Sequence, residues 1–393
     1  MIKYPLASNT WDHREIEAIN SVIADGRYTM GSRVKKFEEE FAAKFGTKHA
    51  VMVNSGSSAN LLMIASLVIN PDYDLNPGDE VIVPAVSWST TYFPVTQYGL
   101  KLIFVDIERG TLNIDPAKVA EAIGPKTKAI LAVNLLGNSC RYDQLKDIAD
   151  KNNLILIEDN CESLGASYNG KMLGTIGVMG TFSFFFSHHM QTMEGGMILT
   201  DDPKLDQYLR SLRAHGWIRD LPDENFIHNK SGDPFEDSFK FVTPGYCVRP
   251  LEMSGAVGSV QLSKMDDMIR IRRDNAIRFK EAMAWIQSVE TQTEIGESSW
   301  FGFGIVLTNG LQGKRKEIIN ALTSAGIETR PIVAGNFTKN PVIAHIPHEI
   351  RGTLDAADYI DKNGFFVGND SRDLQEEIDL LKTNLLISIL ERF

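Results

Sequence analysis

Two adjacent histidines, His188 and His189, close the aromatic run Phe182-Ser183-Phe184-Phe185-Phe186-Ser187, and Met190-Gln191-Thr192-Met193-Glu194-Gly195-Gly196 follows. An imidazole with an ordinary pKa of about 6.5 takes up and gives back protons near neutral pH, so either can serve as a general acid and base. Taken singly, a histidine is more often a hydrogen-bonded structural residue. Neither has a second ligand four residues away, so no helical zinc pair is present. Acidic groups gather at Glu158-Asp159-Asn160-Cys161-Glu162, at the end of an apolar run. Carboxylates there are costly unless something positive or protonated meets them. Asp159 therefore reads either as a helix cap or as the partner of a protonated ring nitrogen.

Three further stretches are weaker. Asn54-Ser55-Gly56-Ser57-Ser58-Ala59-Asn60 joins a strand to a helix. Small residues at a helix N-terminus let backbone N–H groups approach a phosphate, although a tight turn with serine caps has the same composition. Pro84-Ala85-Val86-Ser87-Trp88-Ser89-Thr90 brings a tryptophan that can stack on a flat ligand or simply join the core. Arg213-Ala214-His215-Gly216 and Pro244-Gly245-Tyr246-Cys247-Val248-Arg249-Pro250 are polar loops with no independent chemical meaning.

The elements that must position these groups follow from hydrophobic periodicity. Residues 50–53, 81–83, 102–105, 129–133 and 154–157 are apolar and mostly rich in β-branched side chains, the signature of strands buried on both faces. Residues 59–69, 117–123 and 144–151 have helical spacing. The alternation predicts an α/β fold with a mainly parallel sheet, whose ligands bind at the carboxyl ends of the strands. A long helix over 252–286, a strand over 300–307, a helix over 314–325, a further strand in the IETRPIV segment and an amphipathic helix over 373–390 are expected beyond. The predicted division is an N-terminal segment and large domain over 1–255 and a smaller α+β domain over 256–393.

Composition narrows the class. A formal charge of −11 disfavours nonspecific binding to nucleic acid or acidic membranes, but leaves an anionic substrate open. Three scattered cysteines, Cys140, Cys161 and Cys247, give neither a disulfide framework nor metal-ligand spacing. The polar start and the lack of a spanning apolar stretch of roughly 20 residues give the expectation of a cytoplasmic protein.

In order and spacing, the motifs resemble the sugar aminotransferase family that uses pyridoxal phosphate on the aspartate-aminotransferase fold, with its seven-stranded, mainly parallel sheet. The resemblance runs from the turn at Gly26–Gly31 to the segment GIETRP. It implies that Gly56, Ser57 and Ser183 hold the cofactor phosphate, that Trp88 stacks on the ring, and that Asp159 pairs with the ring nitrogen. It also places Glu162, where relatives usually carry glutamine, near the ring hydroxyl. His215, Arg219, Arg249 and Arg330 become candidates for the substrate. Sites shared between two chains imply at least a homodimer.

One departure decides the chemistry. Members of this family read F-S-F-x-x-x-K before E-G-G, and counting from Phe182 puts His188 at the lysine position. No lysine lies between Lys171 and Lys204. Imidazole forms no stable imine, but it moves protons well. Histidine there marks the branch that removes the 3-hydroxyl of nucleotide-linked 4-keto-6-deoxyhexoses, with pyridoxal or pyridoxamine phosphate as cofactor and L-glutamate as amine donor. One group of that branch carries an iron–sulfur cluster, which three scattered cysteines are not expected to build. The expectation is the cluster-free group, acting on a GDP-sugar with no metal. A related enzyme of another nucleotide ketosugar and a silent homologue are the competing readings. A second departure is Cys247, where relatives usually carry an asparagine that reaches the neighbouring subunit's cofactor phosphate.

Overall fold

The computed structural model describes residues 2–390. Its main sheet runs in the order His49–Val53, Gly196–Thr200, Gly180–Ser183, Ile155–Asp159, Thr127–Val133, Glu80–Pro84, Lys101–Val105 and His348–Ile350. Only the strand Gly196–Thr200 runs antiparallel to its neighbours. The strands predicted from apolar runs are present, and most of their residues are buried, as a sheet covered by helices on both faces requires.

Two expectations need correction. The sheet has eight strands among the described residues, where seven were expected, because His348–Ile350 adds a parallel edge beside Lys101–Val105. The IETRPIV segment is not a strand. Ile327 makes a single bridge to Tyr4 and Arg330 another to Phe366, so its β-branched residues reflect burial rather than a ladder.

Period two along Gly180–Ser183 sorts the residues that lead to the histidines. Phe182 and, just beyond it, Phe184 point into an aromatic cluster with Phe37, Phe41 and Phe45, with centroids 5.1–5.6 Å away. Ser183 therefore faces the other side. Each such aromatic pair contributes about 0.5–1.5 kcal/mol beyond burial, so the root of the histidine loop is fixed. The helix Gly56–Ile69 is apolar almost all round and lies buried in the main core.

Further along, the helix Glu252–Met283 packs against Ser32–Phe45. A separate three-stranded antiparallel sheet, Val289–Thr291, Gly302–Leu307 and Gly364–Gly368, shares a second core with the helices Arg315–Ser324 and Gln375–Leu390. Among the described residues no helix is long and apolar enough to cross a membrane, and no group of three or more ligating side chains could hold a metal ion.

Candidate active site

The carboxyl ends of neighbouring strands bring the expected residues together. Asp159 ends Ile155–Asp159 and pairs in register with Thr181, two residues before Ser183. Its Oδ2 accepts from Asn60 Nδ2 and Thr91 Oγ1, both at 2.8 Å, and its Oδ1 accepts from the Cys161 N–H at 3.1 Å. Three donors stabilise a buried carboxylate, and one acceptor position on Oδ1 is left over. Glu162 accepts from the Leu136 N–H at 2.9 Å. Burial, with help from the charge of Asp159, pushes its carboxyl up to about 7, against the pull of that hydrogen bond.

The N-terminus of the helix Gly56–Ile69 lies beside them. Ser55 caps the helix Gly56–Ile69, its Oγ accepting from the Ser58 N–H at 3.1 Å. The N–H groups of Gly56 and Ser57 occupy the first turn, where a helix supplies no backbone acceptor. A side chain at Gly56 would put its Cβ 2.6 Å from Ser183 Cβ and 3.1 Å from Cys161 Sγ. Glycine is therefore what lets the helix end and the Ser183 hydroxyl converge. Trp88 caps the helix Ser89–Gln97 with 59% of its surface exposed, a large flat face open to a ligand. A cradle of N–H groups and a hydroxyl, an open indole and a carboxylate with a spare acceptor fit a phosphorylated pyridine such as pyridoxal phosphate.

His188 sits in the loop after Ser183, its N–H donating to the Phe185 carbonyl at 2.9 Å. Its Nδ1 is buried without a hydrogen-bond partner. Phe301 packs edge-on to His188 at 5.2 Å and tilted against His189 at 5.6 Å. The Phe301 N–H donates to the Leu136 carbonyl at 3.0 Å, which links this packing to the segment that holds Glu162. Burial, followed by the nearby Arg272 cation, lowers the His188 pKa to about 4. His188 is thus a neutral base at physiological pH, and an imidazolium formed there gives its proton away readily. His189 is also held neutral by burial and Arg272, with Nε2 3.2 Å from the Ser299 carbonyl oxygen. Gln191 anchors the far side of the loop. Its Nε2 donates to the Ser8 carbonyl at 2.7 Å, and its Oε1 accepts from the Thr10 N–H at 3.3 Å.

The substrate candidates form a separate cluster. Arg219 stacks over Trp217 at 3.2 Å, Arg249 lies 5.3 Å from the same ring, and His215 meets it edge-on at 5.0 Å. This cluster flanks the turn before Gly56, since the Asn54 N–H donates to the Val248 carbonyl at 3.0 Å. Arg330 is not part of it. It is exposed and pairs through its backbone with Phe366, whose ring lies 6.5 Å from Phe301. Sequence reasoning overlooked Asn60, Thr91, Gln191, Arg272 and Phe301. A lone amide in an otherwise apolar helix was the available signal for Asn60.

Comparison with known proteins identifies the family. The DegT/DnrJ/EryC1/StrS aminotransferase family matches residues 9–371. GDP-4-keto-6-deoxy-D-mannose 3-dehydratase of Yersinia pseudotuberculosis is 55% identical over 380 residues, covering 96% of this chain and 97% of that protein. Two crystal structures of GDP-4-keto-6-deoxymannose-3-dehydratase superpose with a TM-score of 0.96, each at 52% identity over 98% of this chain and 100% of the other. One is a histidine-to-asparagine variant with bound GDP-perosamine, and the other holds a trapped PLP-glutamate geminal diamine. The chain therefore belongs to the DegT/DnrJ/EryC1/StrS aminotransferase family, and within it stands close to enzymes that carry out dehydration.

Proposed function

We infer that this protein is a pyridoxal phosphate-dependent 3-dehydratase of GDP-4-keto-6-deoxy-D-mannose. It uses glutamate as amine donor and releases ammonia and GDP-4-keto-3,6-dideoxymannose. The observation that carries this reading is His188: a neutral, half-buried imidazole at the position where a transaminating enzyme needs a lysine. When bound in its amine form, the cofactor supplies a nitrogen that joins the sugar's 4-keto carbon and a ring that accepts electrons.

The chain's own residues do the rest. Gly56, Ser57 and Ser183 hold the phosphate, Trp88 covers the ring, and Asp159 keeps the ring nitrogen protonated. His188 takes a proton from the carbon that carries the amine and delivers one to the leaving 3-hydroxyl oxygen. The low pKa that makes it a base at rest makes its protonated form a strong donor for that second task. Lacking a primary amine, His188 cannot displace the product from the cofactor; one water would cleave that carbon–nitrogen bond, and the freed unsaturated amine would tautomerise and take up a second water to give ketone and ammonia. Ammonia release in the presence of both glutamate and the ketosugar tests this reading; release that does not depend on the sugar would contradict it.

Glu162 completes the ring pocket at the cofactor's hydroxyl. Its protonated form is the donor and dominates below its pKa of about 7. Activity is expected to fall as pH rises through 7, and Glu162→Gln, which cannot titrate, is expected to flatten that limb. A limb unchanged in the variant assigns it to another group.

His215 is assigned to steering the sugar or the phosphate, and the cations of Arg219, Arg249 and, from outside their cluster, Arg330 are assigned to the diphosphate. The two-unit division at about residue 255, a homodimer with shared sites and a cytoplasmic role in colitose and O-antigen lipopolysaccharide synthesis belong to the same reading. The exposed Phe185, Phe186 and Met193, all in the loop that carries His188, support a second copy covering that loop. An active monomer in sedimentation would contradict it. Cys247 is exposed, with Arg249 Nη2 3.6 Å from its Sγ. A thiol is a poor donor to phosphate, so Cys247→Asn is expected to tighten cofactor binding by roughly ten-fold, the effect of one hydrogen bond to a charged group. Equilibrium dialysis would check it, and unchanged affinity would place Cys247 away from the phosphate.

A further inference from the structure

We propose that Asn60 is a positioning residue for the reaction, holding the Asp159 carboxylate in the one orientation that meets the cofactor's ring nitrogen; the proposal rests on the reading of Asp159 given above. Asn60 is 1% exposed in a helix whose other buried positions are mostly apolar. A buried amide in such a place is costly unless its hydrogen-bonding capacity is used. Here it is used at both ends. Thr181 Oγ1 donates to Asn60 Oδ1 at 2.6 Å, while Asn60 Nδ2 donates to Asp159 Oδ2 at 2.8 Å and to the Thr90 carbonyl at 3.3 Å. A flipped amide would set its oxygen against the carboxylate, so the orientation is settled by the network.

The other donor to Oδ2 is equally committed. Thr91 has one hydroxyl proton, which goes to Asp159 at 2.8 Å. Ser87, 2.8 Å from Thr91 Oγ1, must therefore donate to Thr91. Proton donation runs inward from both sides, Ser87 to Thr91 to Asp159 and Thr181 to Asn60 to Asp159, and every side chain in it is buried. Oδ2 is saturated by two donors and Oδ1 is half-used by the Cys161 N–H. The remaining acceptor position on Oδ1 is the one left for a ring N–H.

The placement of Asn60 gives this a further consequence. It lies four residues after Gly56, on the same face of the same helix. One rigid element thus presents N–H groups to the phosphate at its first turn and fixes the carboxylate for the ring nitrogen a turn later. The helix sets the span between the two ends of the cofactor.

The experiment compares Asn60→Leu, Thr181→Val and Asp159→Asn with the unmodified enzyme. It records the absorption spectrum of bound pyridoxal phosphate against pH, together with kcat and KM. Asn60→Leu is expected to bind cofactor and keep KM for the ketosugar within about two-fold. Its kcat should drop by roughly ten-fold, the loss of one hydrogen bond to a charged group. The pH at which the bound cofactor's band changes should fall by about one unit, because a loosened carboxylate protects the ring proton less well. Thr181→Val, close in shape to the native residue, should move the band the same way by a smaller amount. If Asp159→Asn shifts the band and neither Asn60→Leu nor Thr181→Val does, the proposal is overturned. If Asp159→Asn itself leaves the band unchanged, the reading of Asp159 fails and the proposal with it.

Discussion

The His188→Asn protein is expected to bind pyridoxal phosphate and to dehydrate the ketosugar about 10³-fold more slowly than the native chain. Asparagine is polar and compact, but it has no group that titrates, so proton transfer at both the amine-bearing carbon and the 3-hydroxyl oxygen is lost. General acid–base catalysis by one side chain is worth about 10²–10⁴-fold, and here one imidazole has both tasks. His188→Lys should fail equally at dehydration. Its primary amine would let the chain attach covalently to the aldehyde cofactor and hold it through gel filtration. Single-turnover assays on both variants check this, and dehydration in either at more than a tenth of the native rate would remove His188 from its role.

Gly56→Ala is expected to weaken cofactor binding by about 100-fold, near 2.7 kcal/mol, which is the range of a lost hydrogen bond to a charged group. The physical reason is close packing. A Cβ at this position would stand 2.6 Å from Ser183 Cβ and crowd Cys161 Sγ. Helix end and hydroxyl must move apart, and the cradle opens. Since the defect concerns the phosphate, high cofactor concentration should restore most of kcat. Titration of the cofactor-free protein by fluorescence gives the affinity directly, and a native value in the variant would place the phosphate elsewhere.

Much of this site was legible because its parts lie at the carboxyl ends of strands with obvious apolar runs. Phe182 and Glu194-Gly195-Gly196 fix the register on either side of His188, so the missing lysine could be counted. The aromatic run itself made sense only in three dimensions, where Phe182 and Phe184 pack on Phe37, Phe41 and Phe45. What stayed hidden depends on contacts between distant segments. Phe301 is 113 positions from His188, and nothing in a single sequence pairs them. Arg272 is buried near two histidines it lowers by charge, yet on a long helix it reads as an ordinary solvated cation. The edge strand His348–Ile350 is three residues long and partly exposed, too short for a periodic signal. The opposite error at IETRPIV came from treating β-branched composition as a ladder, when only single bridges form.

The arrangement also explains why loss of the lysine need not mean loss of function. The pocket retains an oriented carboxylate with one acceptor position to spare, an open indole and a glycine-lined helix end, each of which costs stability or specificity to maintain. What has changed is the proton carrier. Packed against Phe301 and close to Arg272, it rests as a free base.

The most direct test of that claim is mass spectrometry of GDP-4-keto-6-deoxymannose incubated with the protein, pyridoxal phosphate and glutamate. Loss of the 3-oxygen from the sugar, with free ammonia in equal amount, is the predicted result. An amino sugar in its place would show that transamination proceeds without the lysine and would contradict the assignment of His188.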